Sequence, residues 1–489
     1  MSNRTLRTGL SLMCVSLALA GCASYSGLVT EGTSLHAKDL KAAQALSGVN
    51  VTPAAWPEKS WWKCLGDGQL DGLIDEALRD SPDMQIASAR AHQATAAAGA
   101  ANAARMPTLN AEADVTRSRL SRSQDPTGQG SRYDTLRDIG LTFNYTFDLW
   151  GGQRDAWEAA LGEARAAEVD AQAASLTLAA DVARAYSNLG HAYSVRDLSN
   201  DDLQRTRNML DLSKRRLQAG IDSQYQYQQT ESLEASAQEQ LINAEKQLKS
   251  AHIALAVLLG KGPDRGFEIA RPNILSPAAV ALPSTLPAEL LGRRPDIVAA
   301  RWRVEAASKH IAAAKTRFYP NLNLTAAAGT QSLLGDALFG SASRFMNIAP
   351  AISLPIFDGG RLRAGLDAED ANYDVAVAQY NKTLVAALGD VSDTLEQLNA
   401  MSQQISTQQR AAAIAQDSYN SGLQRYESGV GNYLDVLSIE QQLLQAQRQL
   451  ADLNAEQIDL SIQLMQALGG GFEPGNTASA VPTQASLAE

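Results

Sequence analysis

Two kinds of hydrophobic periodicity take turns along the chain, and each occurs twice. Leu109, Ala111, Ala113 and Val115 alternate with Asn110, Glu112, Asp114 and Thr116. Ile139, Leu141, Phe143, Tyr145, Phe147 and Leu149 then alternate with Gly140, Thr142, Asn144, Thr146 and Asp148. A period of two predicts strands with one apolar and one polar face. The pattern returns at Leu322, Leu324, Ala326 and Ala328, and again at Met346, Ile348, Ile352, Leu354 and Ile356. Polar tips with Gly and Ser, Ser121–Ser131 and Gln331–Ser343, separate the paired strands. Roughly ten residues is the length a tilted strand needs to cross a bilayer. Two hairpins packed on a soluble core would give the same alternation.

The rest of the pattern is helical. No proline occurs between Pro126 and Pro263 or between Pro355 and Pro474, and these stretches are rich in Ala, Gln, Leu, Glu and Asp, which suits long helices. A helix about Gln153–Ala219 and another about Arg361–Ser428 would each extend about 100 Å. Return helices follow at Gln224–Leu259 and Asn432–Leu468, after turns at Gly220-Ile221-Asp222 and Gly429-Val430-Gly431, where glycine supplies a left-handed cap. The last helix carries two seven-residue stripes: Leu437, Leu444, Ala451, Ile458, Met465, and Ile439, Ala446, Leu453, Leu460, Ala467. Two stripes predict neighbours on two sides, as in the staves of a tube. A solid bundle is the alternative.

The recurrence is a duplication. Ser81-Pro82-Asp83 recurs as Arg294-Pro295-Asp296, Pro107-Thr108-Leu109-Asn110 as Pro320-Asn321-Leu322-Asn323, and Phe147-Asp148 as Phe357-Asp358. Arg216-Leu217-Gln218-Ala219-Gly220 recurs as Arg425-Tyr426-Glu427-Ser428-Gly429, and Leu259-Gly260 as Leu468-Gly469. This ordered set marks one unit used twice. The expected organisation is a signal peptide (1–21), an N-terminal segment and equatorial region (22–80), a first repeat (81–260) and a proline-rich extended linker (261–291). A second repeat (292–469) and a C-terminal tail (470–489) complete it.

The chain begins with Arg4 and Arg7, then a short apolar run ending at Leu19-Ala20-Gly21-Cys22. That run is too short to span a bilayer and suits a secretory signal. Its end resembles a bacterial lipobox, in which cleavage frees Cys22 to carry a diacylglycerol and an N-acyl chain such as palmitate. Ala23, rather than aspartate, favours sorting to the outer membrane. Cleavage takes the formal charge from −11 to 40 − 53 = −13, which disfavours nucleic acid as a partner. Cys14 leaves with the signal and Cys22 goes to lipid, so Cys64 has no disulfide partner. The scattered His36, His92, His191, His252 and His310 suggest no metal site, and no nucleotide-binding or hydrolase motif is present. Neither a cofactor nor catalysis is expected.

Membrane backbone must be fully paired, so a spanning sheet has to close. Four strands cannot, because the smallest membrane barrels use eight. Several copies must pool strands around a polar lumen.

The chain resembles the TolC-type outer membrane efflux family, in its lipoprotein (NodT-like) branch. The resemblance lies in Trp61-Trp62, Asp67-Gly68-Gln69-Leu70-Asp71-Gly72-Leu73-Ile74, Leu291-Gly292-Arg293-Arg294-Pro295-Asp296, Leu354-Pro355-Ile356-Phe357-Asp358-Gly359-Gly360 and Tyr426 through Leu437. It implies an α+β, mainly α fold: an internally duplicated helical-hairpin α-barrel with four transmembrane β-strands per chain, completing a trimeric twelve-stranded β-barrel. It implies a homotrimer in outer-membrane lipid and a periplasmic adaptor. It further implies a proton-driven inner-membrane pump of the RND type and passive conduction of small toxic compounds. Tips near Arg216 and Gly220, and near Arg425 and Gly429, would meet the adaptor. Asp435, Ser438 and Tyr426 would lie at the gate. Gly431 stands where some members carry a locking arginine, and Ser438 where some carry a second aspartate. A duct for secreted polypeptide and a periplasmic coiled-coil lipoprotein without a pore are the other readings.

Overall fold

The computed structural model describes residues 24–35, 40, 56–119, 121, 133–273, 292–333, 337–431 and 433–473. The signal segment with Cys22, most of the β1–β2 tip, most of the linker and most of the tail lie outside them. In chain order the elements are α1 (Gly68–Asp80), α2 (Pro82–Ala103), β1 (Thr108–Arg119), β2 (Tyr133–Phe147), α3 (Gly152–Gln218), α4 (Gln224–Leu258), a one-turn α5 (Asp264–Phe267), α6 (Pro295–Thr316), β3 (Asn321–Ser332), β4 (Arg344–Ser353), α7 (Arg361–Glu427) and α8 (Tyr433–Ala467). The duplication is metrical. Helices α3 and α7 have 67 residues each, and α4 and α8 have 35 each.

The chain divides into two units. One contains the sheet, antiparallel throughout in the order β1-β2-β3-β4. The register sets Val115 opposite Arg137, Phe143 opposite Ala326, and Leu324 opposite Pro350. Directly opposed residues share a face, so the odd positions of β1 and β2 lie with the even positions of β3 and β4. That face carries Leu109, Val115, Leu141, Phe143, Leu324 and Ile348; the other carries Asn110, Glu112, Thr142, Asn144, Asn323 and Asn347. On the polar face the Thr146 hydroxyl donates to Asn323 Oδ1 (2.8 Å) and that of Thr325 to Asn144 Oδ1 (3.2 Å). Gly140 opposes Gly329, and a Cβ at Gly329 would lie 2.3 Å from the Ile139 carbonyl oxygen. Strand β4 stops at Ser353, short of the Ile356 that the alternation reaches, because Pro355 has no N–H for the ladder.

The Phe-Asp repeats are helix caps. Asp148 accepts from the N–H groups of Gln153 and Arg154, and Asp358 from those of Gly360 and Leu362. In the same unit, residues 24–34 are fastened to helical segments. Leu28 packs near Phe318 and Leu366, Tyr25 and Tyr319 share a 2.8 Å hydroxyl hydrogen bond, and Asp374 accepts from the N–H groups of Glu31 and Gly32.

The second unit is helical and holds the larger core. Trp61, Trp62, Leu65, Leu70 and Ile74 pack with Ala179, Tyr186, Leu189, Leu255 and Leu259. At its centre, Asp67 caps α1 by accepting from Gln69 N–H and also accepts from the Tyr186 hydroxyl (2.7 Å) and Asn273 N–H. Burial works against this carboxylate's charge, but those hydrogen bonds outweigh it and hold its pKa below the ordinary range. The two stripes of α8 part as predicted: Leu453, Leu460 and Ala467 join Val391, Leu395 and Leu398 of α7, whereas Ile458 and Met465 pack against the Trp61–Tyr186 core. The linker departs from its expected extended form. Its first part folds as α5 onto α4, where His252 Nδ1–H donates to the Gly266 carbonyl at 2.7 Å. Gly266 permits that approach, since a Cβ there would sit 2.1 Å from the His252 carbonyl oxygen.

Candidate functional site at the helix ends

Both hairpins of the helical unit close in the same way. Gly220 and Gly429 take positive φ, 70° and 76°. The N–H groups of Ile221 and Val430 then return to the carbonyls of Arg216 and Arg425 at 2.9 and 3.0 Å, satisfying helix-end acceptors. Beyond the first turn, Ser223 caps α4 in a reciprocal capping box with Gln226.

The repeats differ in what they place between the two turns. Asp222 in the first corresponds to Gly431 in the second. The Arg216 guanidinium donates to Asp222 Oδ1 at 3.0 Å and to the Tyr426 carbonyl at 3.3 Å, and stacks 4.4 Å from the Tyr426 ring centroid. The Tyr426 hydroxyl donates to Asp222 Oδ2 at 2.8 Å. Asp222 and Tyr426 are buried, among Met209, Tyr419, Val436 and Leu437. One carboxylate therefore joins the end of α3 to the end of α7. Arg216, expected to face a partner, is largely turned inward on this pair, and Tyr426, expected at a constriction, is in the packing between the turns. Sequence reasoning passed over Asp222 as an ordinary turn residue. The signal that marks it is the asymmetry of the repeat, an acid where the copy has glycine.

Asp435, Ser438 and Arg425 are exposed and line one groove of about 690 Å³ with Asp417, Ser418 and Gly431. Gly431 has no room for a side chain here: a Cβ would lie 2.8 Å from the Tyr426 backbone nitrogen. The groove presents two carboxylates, one guanidinium and hydroxyls. Among the described residues no group of three or more His, Cys, Asp or Glu side chains could hold a metal ion, and no described helix is long and apolar enough to cross a membrane.

Comparison with known proteins decides the family. The outer membrane efflux protein model matches residues 73–261 and again 286–470. The chain belongs to the outer membrane efflux protein family. The efflux protein is 39% identical over 368 residues to the fusaric acid resistance protein FusA of Burkholderia cepacia, a match covering 74% of this chain and 69% of that one. It is 30% identical to the multidrug resistance outer membrane protein MdtP of Escherichia coli K12, over 95% of this chain and 97% of that one. Among solved structures, the outer membrane protein VceC of Vibrio cholerae superposes with a TM-score of 0.79 at 36% identity, covering 86% of this chain and 100% of that one. The CmeC outer membrane channel of Campylobacter jejuni shares the fold, with a TM-score of 0.83 at 23% identity over 92% of this chain and 97% of that one. The efflux protein has the fold of these outer membrane channels, and it is a channel component, not an enzyme.

Proposed function

We propose that three copies of this chain form the exit duct of a tripartite efflux system, conducting small toxic compounds outward from an RND-type inner-membrane pump through a periplasmic adaptor. The observation that carries the reading is the sheet. Its first and last strands, β1 and β4, pair with no other described strand on their outer sides, and its apolar face is exposed, with Val115 71%, Ile348 67% and Ile352 75% accessible. Open edges and a bare apolar face are untenable in lipid unless copies share one closed wall. The polar face would then line the lumen. The relatives' names span fusaric acid resistance, multidrug resistance and toluene efflux, a spread suited to a duct whose wall discriminates little.

The N-terminus supports anchorage by lipid. Ser24 and Ser26 offer their carbonyls to Arg363 at 2.6 and 3.2 Å, and Trp150 stacks on Tyr319 at 4.8 Å beside Tyr25. Aromatic clusters of this kind favour the membrane–water boundary. Cys22 is two residues away, about 7 Å of chain, so its acyl chains would enter the inner leaflet at the helical end of the sheet. In the helical unit, Asp435 would contribute one carboxylate per copy to a ring that attracts cations, and the surfaces around Gly220 and Gly429 would receive the adaptor.

Purified protein placed in planar bilayers tests the duct. The expected result is a discrete cation-preferring conductance from a heat-resistant trimer, with the preference reduced by Asp435→Asn. A monodisperse monomer without conductance would refute the reading.

A further inference from the structure

The apolar face of the sheet does not end at a neutral rim. At the strand ends remote from the helices, the same face carries Arg117 and Arg119 on β1, Arg137 on β2 and Arg344 on β4. The register fixes this: Val115 opposes Arg137, Arg137 opposes Ser332, and Thr330 opposes Arg344. No acidic residue occupies this face on the described strands. Glu112, Asp114, Asp134 and Asp138 all lie on the opposite one. Charge is therefore sorted by face, with cations above the apolar band and anions across the sheet. The arginines are not engaged in ion pairs among the described residues. Arg117 lies over the Tyr133 ring at 5.4 Å, Arg137 reaches only the Thr135 carbonyl at 3.5 Å, and Arg117, Arg119 and Arg344 are exposed.

Position along the strand says what such a rim meets. Arg137 is two residues beyond Ile139, the last apolar residue of the band on β2, or about 7 Å. A lipid-facing arginine is costly at mid-bilayer but tolerated at the interface, where headgroups begin. Guanidinium pairs bidentately with phosphate, and each basic side chain near an anionic lipid surface adds favourable electrostatic energy. Apolar surface below and unpaired guanidinium above match an amphiphile with phosphate at the junction of its acyl chains and headgroup. We propose that the outward rim of Arg117, Arg119, Arg137 and Arg344 binds the phosphate groups of a phosphorylated glycolipid in the outer leaflet of the outer membrane. The inference rests on the reading of the sheet as a membrane wall.

The test uses the full protein extracted in mild detergent and titrated with a bisphosphorylated, acylated glucosamine disaccharide, with bound lipid counted by native mass spectrometry. The same lipid without phosphates is the control, and inorganic phosphate is the competitor. The protein should retain the phosphorylated lipid about tenfold more tightly than the control, and millimolar inorganic phosphate should not displace it. The preference should fall to about twofold in R117Q/R119Q/R137Q/R344Q and persist in the corresponding fourfold Lys variant. Equal retention of both lipids by the unsubstituted protein, a comparison that needs no variant, would overturn the proposal. Displacement by inorganic phosphate would do so too, by showing a free-anion site. Conductance in bilayers of the phosphate-free lipid separates the two readings. Conductance with no lipid preference overturns the rim alone, whereas no conductance in any bilayer removes the wall and the rim together.

Discussion

At single residues, the sites that matter most are buried acids with unequal support. Asp222 accepts from both Arg216 and Tyr426, so its charge is shared by two donors. Tyr426→Phe would leave Asp222 Oδ2 without its hydroxyl donor, at a cost of about 1–3 kcal/mol, and would loosen the join between the two turns. A raised open probability in single-channel records is the expected outcome. Glu440 is the opposite case. Its side chain is 7% exposed, and the nearest cation, Arg205, is 3.9 Å away. Asp202 on α3 and Tyr419 on α7 crowd the same pocket, and Arg448 of α8 is turned to Gln240. Burial first, and then Asp202, push the Glu440 carboxyl up to about 7 against the weaker pull of Arg205. Because folding raises its proton affinity, its favourable contribution is complete below about pH 4.5 and is lost as the pH climbs through about 7. The charged form then costs on the order of 3 kcal/mol. Glu440→Gln should melt higher than the parent at pH 8, and the gap should close towards pH 4. A pH-independent difference would show that the carboxyl is not titrating there.

The elements were legible in the sequence where one periodicity held without interruption. Proline-free stretches gave α3, α4, α7 and α8 to within a residue or two at their ends, and the two stripes of α8 foretold its two sets of neighbours. Alternation located all four strands but overran β2, where Asp148 turns to cap α3, and β4, because Leu354 and Ile356 continue the pattern while Pro355 breaks the ladder. The linker was misread for a related reason. Its prolines argued for extension, yet Ile269 is buried and Gly266 lets α5 touch α4. The network joining the tips was invisible to motif reading, since Tyr426 of α7 is 210 residues from Arg216 and 204 from Asp222, and only the fold brings it to them. The strand glycines were equally silent. Gly329→Ala would drive a methyl into the Ile139 carbonyl of β2, with overpacking strain of about 1–3 kcal/mol. Its expected effect is a lower temperature at which the assembled form dissociates on a gel, with the far-ultraviolet helical signal unchanged.

For the molecule as a whole, the proposed duct converts a local incompleteness into a rule of assembly. The sheet has half the strands of the smallest membrane barrel, and residues 24–34 are fastened to the unit that contains it. On the proposed anchorage, Cys22→Ser should abolish acyl labelling and reduce recovery in the outer-membrane fraction, while protein that does reach the membrane keeps its conductance. Unchanged labelling would place the lipid elsewhere.

The outer sides of β1 and β4, which pair with no other described strand, also bear on inheritance. In the proposed assembly, a wall shared among polypeptides is only as sound as its worst contributor. With random mixing of equal amounts of intact and broken product into threefold rings, about one ring in eight would be wholly intact. A lesion in a single strand would thus behave genetically as a dominant poison, whereas outright loss of one of two gene copies would merely thin the supply.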